Sequence, residues 1–192
     1  RPIVYSDSYS LSPIVTQAEE NSFAMYILKM RDYLDTKKGI TACVSSWRRV
    51  ADNMIPARAK PTGVYLNSAL ARYEAKLNGF DEAIFLTNDG YVSEGSAEHL
   101  FLVRNGTLIT PTSQEDNLEG VTRRSLIELA GELGYPVVER RVARTELYVA
   151  EEAFLCGTGA EVTPLVAVDR RVVGDGKAGP VTRELQELYF KV

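Results

Sequence analysis

The sequence predicts an α+β fold. Three observations carry the prediction: apolar runs of strand length come in hairpin pairs, helical patterns are scattered between them, and the strand–helix–strand rhythm of a doubly wound sheet is absent. The chain opens RPIVYSDSYS, an extended, strand-like stretch with no initiating Met and no leader, so an upstream segment is expected. SFAMYILKM (22–30) fits a buried strand or a helical turn, and periodicity alone does not separate the two. DTKKG (35–39) is polar, ends in glycine and reads as a turn or linker. ITACVSSW (40–47) is β-like, and NSALARYEAKLN (67–78) has helical spacing stopped by Gly79.

EAIFLTNDGYVSEG (82–95) reads as two strands about the Asn88-Asp89-Gly90 turn, and HLFLVRNGTLITP (99–111) repeats the device at Asn105-Gly106. Helices are predicted over 123–133, closed by Gly134, and over 180–190, where Pro180 suits the first helical position. VVERRV (137–142), AFLCG (153–157) and PLVAV (164–168) supply short strands.

The bulk properties exclude several classes. Of 192 residues 45% are hydrophobic and 25% charged, an ordinary globular balance with no apolar run long enough to span a bilayer. A formal net charge of −4 without any Lys/Arg block argues against a nucleic-acid footprint. Cys43 and Cys156 have no metal spacing and suggest no disulfide framework, so a reducing, intracellular compartment is expected.

The alternating apolar run GYVSEGSAEHLFLV (90–103) reads as strand, yet carries Glu94, Glu98 and His99, the only histidine. A buried carboxylate needs a charge partner or hydrogen-bond donors, or it takes up a proton. Lys60, in IPARAKPTGVYLNS, is the cation expected near Glu94, and the following Pro61 predicts an extended backbone at Lys60. Taken alone, a loop lysine is a solvated charge. Gly120-Val121-Thr122 precede a helix, where free N–H groups and the dipole favour an anion, although Thr122 fits an N-cap equally well. Gly157-Thr158-Gly159 follow a strand as a small-residue turn whose amides suit an anion, or which simply ends the strand. Together an amine, a strand carboxylate and two anion turns are the set that pyridoxal 5'-phosphate needs. The amine forms a Schiff base with its aldehyde, the carboxylate keeps its pyridine nitrogen protonated, and the turns grip its phosphate. On this reading Glu94 is buried because its partner is the cofactor and not another side chain.

In order and spacing, AKPTGVYLNS, GYVSEGSAEHLFLV, LEGVTRRS, ELYVAEEAFLCGTGAEVTPL and GPVTREL resemble the fold-type IV pyridoxal-phosphate enzymes, and within them the branched-chain amino acid aminotransferases. The resemblance implies a large pseudo-barrel cofactor domain flanked by helices over residues 39–192, with 1–38 the remnant of a smaller domain and the link to it. It implies that Lys60 is the Schiff-base lysine and proton carrier, that Tyr65 bonds the ring hydroxyl, and that Glu94 meets the pyridine nitrogen. Leu118 would pack on the ring, Gly120, Val121, Thr122 and Thr158 would hold the phosphate, and Thr158, Gly159 and Arg1 would receive the substrate carboxylate. Glu98 matches a glutamate near the pocket to which no chemistry is assigned. His99 stands where the family usually has Asn, and is read as a packing residue. The implied activity moves the amino group of a branched-chain L-amino acid to 2-oxoglutarate, in a cytoplasmic homodimer whose partners are amino acid and 2-oxo acid substrates, not nucleic acid or membrane. D-amino acid aminotransferases and aminodeoxychorismate lyase use the same scaffold. A chain without the family's upstream phosphate-binding arginine would keep fold and site but not turnover.

Overall fold

The computed structural model describes residues 1–7, 21–29 and 33–191, and the expectations that fall on 8–20, 30–32 and 192 lie outside them. The chain divides into two compact units, Arg1–Asp32 and Tyr33–Val192. In the first, β1 (Pro2–Ser6) and β2 (Asn21–Met25) form an antiparallel ladder from Pro2↔Met25 to Ser6↔Asn21. Residues 22–25 of SFAMYILKM are therefore strand, but not buried strand: Phe23 and Met25 are 62% and 64% exposed. A two-stranded ribbon has no second layer of its own to cover either face.

Near the start of the second unit lies the expected turn at 35–39. Asp35 accepts the amides of Lys37 and Lys38 at 3.0 and 2.8 Å, and Gly39 takes φ +80°. Nine strands follow: β3 (Ile40–Arg48), β4 (Glu82–Leu86), β5 (Val92–Gly95), β6 (His99–Arg104), β7 (Thr107–Thr110), β8 (Val137–Glu139), β9 (Glu152–Gly157), β10 (Glu161–Val168) and β11 (Arg171–Val172). Their order is β5-β4-β3-β10-β9-β6-β7-β8, with β11 paired to β10. β3 runs parallel to β4 and β10, β7 runs parallel to β8, and the other neighbours are antiparallel. After β8 the chain returns to the first edge: Val92 N–H donates to Val142 O at 2.8 Å, and Tyr91 bridges Ala143. The two edges thus meet and the sheet curls into a pseudo-barrel.

Side-chain alternation sorts the core. Leu100 and Leu102 of β6 join Ile84, Leu86, Leu155 and Leu165 in the inner cluster. Phe101 and Val103 point the other way, into a cluster with Phe154, Leu126 and Leu185 under α2 (Val121–Glu132) and α3 (Pro180–Tyr189). Each fully buried side chain of this size contributes roughly 1.5–3 kcal/mol. On the far side α1 (Tyr65–Leu77) presents Ala71 and Ala75 to Cys43, Ala83 and Phe85, small residues that let helix and sheet approach closely. Among the described residues no helix is long and apolar enough to cross a membrane.

Several boundaries differ from the sequence reading. The run 90–103 is not one strand: Gly95 N–H donates to Glu98 O at 2.7 Å and the chain reverses between β5 and β6. A Cβ on Gly95 would lie 2.8 Å from Glu98 Oε2 and 3.1 Å from Glu98 O, so glycine lets the reversal close without moving Glu98. α1 starts two residues early, fed by a 3₁₀ turn at Thr62–Val64. VVERRV pairs only as β8, because residues 142–143 leave to close the barrel.

Candidate active site

A pocket in the second unit is lined by Arg49, Lys60, Tyr65, Glu94, His99 and Leu118, with Ala57, Pro61, Val64, Ser68, Ser96 and Ala97 completing the wall. Lys60 sits between the 3₁₀ turns Ala57–Ala59 and Thr62–Val64. Its backbone is not extended as expected before proline, but left-handed, at φ 50°, ψ 45°. The competing influence is local closure: Lys60 N–H donates to Ala57 O at 3.0 Å, capping the first turn around buried Ala57. A left-handed residue bearing a side chain is strained by roughly 1–2 kcal/mol, and such strain gathers at functional positions. The result is an exposed ammonium group at the pocket, with Nζ 5.9 Å from the centre of the Tyr65 ring.

Glu94, on β5, is buried, and its cation is Arg49, not Lys60. Arg49 Nη2 lies 2.6 Å from Glu94 Oε1, while the Leu118 amide donates to Oε2 at 3.3 Å. The partner of Glu94 is therefore a side chain, contrary to the sequence reading. Burial pushes the Glu94 carboxyl above its ordinary range; Arg49 first, then the Leu118 amide and the Lys60 charge, pull it back. Arg49 follows β3 directly and donates its amide to Leu86 O at 2.9 Å, so the order β5-β4-β3 delivers it to Glu94. In the sequence Arg49 is marked only as one of the arginine pair in WRRV that ends an apolar strand.

Loop 111–119 presents Leu118. Arg58 ties it to the Lys60 segment through Glu119 at 2.8 Å and Asp52 at 3.0 Å, and Asp52 N–H donates to Asp116 Oδ1 at 2.9 Å. Beyond it α2 starts at Val121, so Gly120 is the N-cap and Thr122 lies inside the first turn; the cap alternative for Thr122 does not hold. No side chain caps this helix, and the amides of Val121, Thr122 and Arg123 have no intrahelical acceptor. Gly120 abuts the pocket through His99: a Cβ on it would lie 2.1 Å from His99 Nε2. The turn carrying Thr158 and Gly159 joins β9 to β10, and neighbouring Gly157 lies beside the Ser96-Ala97 wall, its Cβ position 3.5 Å from Ala97 O. Lys60, Tyr65, Glu94 and Leu118 thus line one pocket; Gly120, Val121, Thr122, Thr158 and Gly159 belong to turns that adjoin it. Arg1 belongs to the first unit, where its backbone pairs with Tyr26. His99 is more than packing, since it faces the pocket with Nδ1 3.6 Å from Glu94 Oε2. Among the described residues no group of His, Cys, Asp and Glu is arranged to hold a metal.

Glu98 lies beneath the wall. It accepts the Ala97 amide at 3.1 Å and neighbours Tyr33, Arg72 and Glu82, with Arg72 Nε 3.6 Å from Glu82 Oε2. Burial, and then the charge of Glu82, push the Glu98 carboxyl up to about 8, and its Oε1 has no hydrogen-bond partner among the described residues. A carboxyl raised on folding contributes stability that is fully present below its unfolded value of 4.5 and is lost as pH rises through 8. Glu98→Gln keeps the shape and removes that loss. It should raise stability by about 1–3 kcal/mol above pH 8 and by little at pH 5, measured by urea unfolding at both. An equal change at both pH values, or a loss at the alkaline one, would refute the protonated Glu98.

A family profile described as amino-transferase class IV matches residues 1–168. The chain belongs to the class IV aminotransferases. It is 52% identical over 192 residues to a probable branched-chain-amino-acid aminotransferase of Aquifex aeolicus (strain VF5), covering 99% of this chain and 61% of that protein. The crystal structure of the branched-chain aminotransferase from Thermoproteus uzoniensis with norvaline superposes with a TM-score of 0.92 at 43% identity, covering 99% of this chain and 62% of the other. That of the branched-chain amino acid aminotransferase from Thermobaculum terrenum in its PLP-form gives 0.90 at 41% identity, again over 99% and 62%. The chain thus spans about three fifths of the length of these relatives.

Proposed function

We propose that this chain is the cofactor-carrying part of a pyridoxal 5'-phosphate-dependent branched-chain aminotransferase, moving the amino group of a branched-chain L-amino acid to 2-oxoglutarate. The observation that carries the reading is one pocket shared by an exposed lysine amine and a buried, arginine-paired carboxylate. The donor set fits the cofactor: Lys60 for its aldehyde, Glu94 for its ring nitrogen, Leu118 for a ring face, and uncapped amides at Val121 and Thr122 for its phosphate. When bound, pyridoxal phosphate supplies an electron-accepting ring conjugated to the carbon that carries the amine.

The chain's own residues have separable tasks. Lys60 Nζ holds the cofactor and carries a proton to and from the substrate Cα. Glu94, paired with Arg49, would meet the ring nitrogen and favour a proton there. Tyr65 would bond the ring hydroxyl, and Gly120, Val121, Thr122 and Thr158 would receive the phosphate. Thr158 and Gly159 would offer amides to the substrate carboxylate. Residues 39–192 form the cofactor domain and 1–38 belong to a smaller domain and its link. The whole enzyme is a cytoplasmic homodimer. The names and ligands of the similar aminotransferases support substrate and cofactor alike.

The test is to add pyridoxal phosphate, reduce with borohydride and map the pyridoxyl group by mass spectrometry. Label confined to Lys60 is expected. Label scattered over surface lysines, or none, would overturn the assembled cofactor site.

A further inference from the structure

His99 stands at the start of β6 with its imidazole buried, between two parts of the site. On one side Nδ1 lies 3.6 Å from Glu94 Oε2. On the other, Nε2 presses on Gly120, 2.1 Å from where a Cβ would stand. We propose that His99 is a positioning residue: braced against Gly120, it turns Nδ1–H toward Glu94 and holds that carboxylate in its orientation between Arg49 and the pocket. The proposal rests on the function proposed above in so far as Glu94 serves the cofactor.

The two carboxylate oxygens are unequally held. Oε1 is fixed by Arg49 at 2.6 Å, whereas Oε2 receives only the Leu118 amide, at 3.3 Å, among the described residues. At 3.6 Å the imidazole is too far for a hydrogen bond, but an N–H directed at a buried anion is still attractive across that distance. A bare nitrogen there would set a lone pair against the carboxylate, so the proton belongs on Nδ1 and Nε2 is the unprotonated atom. The ring stays neutral. Burial first, then the charges of Arg123, Lys60 and Arg49, push the imidazolium down to about 3. An asparagine at 99 would place an amide N–H the same number of bonds from the backbone as Nδ1; a leucine would fill the space without one.

Because the chain has a single histidine, long-range ¹H–¹⁵N spectra of the cofactor-free protein report one imidazole. The Nδ1–H tautomer is expected, without titration between about pH 5 and 8. The Nε2–H tautomer, or protonation inside that window, would overturn the proposal. In equilibrium titrations with pyridoxal phosphate, His99→Leu should weaken binding about tenfold and His99→Asn by less than about threefold, as expected for one lost donor to a charged group. Equal losses in both variants, the mark of a merely structural role, or no loss in either, would overturn it too. If the wild-type chain took up no cofactor, the proposed function would fall, while the tautomer would still decide the role of His99.

Discussion

Replacing Lys60 by asparagine is expected to make the chain more stable and its pocket chemically inert. The two effects have separate causes. Lys60 is held at φ 50°, ψ 45° by the turn that Ala57 closes, a conformation that asparagine tolerates better than lysine. Relief of that strain should raise stability by about 0.5–1 kcal/mol, seen as a higher urea midpoint. The amine is lost at the same time. Borohydride should then fix no pyridoxyl group at position 60, and amino transfer from leucine to 2-oxoglutarate by the whole enzyme should fall at least about 10³-fold, the scale of losing a positioned acid–base group. Retained turnover would end the assignment of Lys60. A lower midpoint would mean that the lysine side chain supports the turn, and that the strained backbone is not borne for the sake of the amine.

Much of this was legible in the sequence, and the gaps have physical reasons. The Asn88-Asp89-Gly90 and Asn105-Gly106 turns fall between β4 and β5 and between β6 and β7 as their chemistry demands. Both depend only on neighbours in sequence. The need of Glu94 for a cation was equally legible, but the identity of the cation was not. Lys60 is the lysine of the turn-rich loop, whereas Arg49 reaches Glu94 only because β4 lies between β3 and β5 in the sheet. Strand order is a long-range property that no local pattern encodes. Local rules failed where two of them competed. The bias of a residue before proline gave way to turn closure at Lys60, and the capping preference of Thr122 gave way to Gly120, the residue with room beside His99. His99 read as packing because a lone histidine in an apolar run carries no sign of what lies opposite. Its neighbours Glu94 and Gly120 are contributed by a preceding strand and a following helix.

Arg49→Leu is the stability counterpart of the Lys60 substitution, and it should be costly. The guanidinium meets Glu94 Oε1 at 2.6 Å, donates to Ser68 Oγ and Asp116 O at 3.4 Å each, and lies 5.4 Å from the centre of the Phe85 ring. Leucine can replace part of the packing on Phe85 but leaves Glu94 buried without its cation. Breaking one half of a buried pair in this way costs about 3–5 kcal/mol. The pH dependence identifies the cause. Without Arg49 the Glu94 carboxyl, already raised by burial, rises further, and the stability of a group raised on folding is lost as pH climbs through its folded value. The deficit should therefore be small in acid, where Glu94 is protonated in both states, and grow as pH rises past the point where Glu94 ionises with Arg49 in place. A second change that removes the charge, Glu94→Gln on the Arg49→Leu background, should recover most of it, since a neutral amide no longer needs the cation. Urea unfolding of both single variants and the double, at acidic and alkaline pH, measures the coupling directly. If the deficit were the same at both pH values and the double variant no better than Arg49→Leu, packing on Phe85 would be the function of Arg49. Only the Leu118 amide and the charge of Lys60 would then oppose the upward push of burial on Glu94, and the pocket would have to hold that carboxyl without a buried counter-charge.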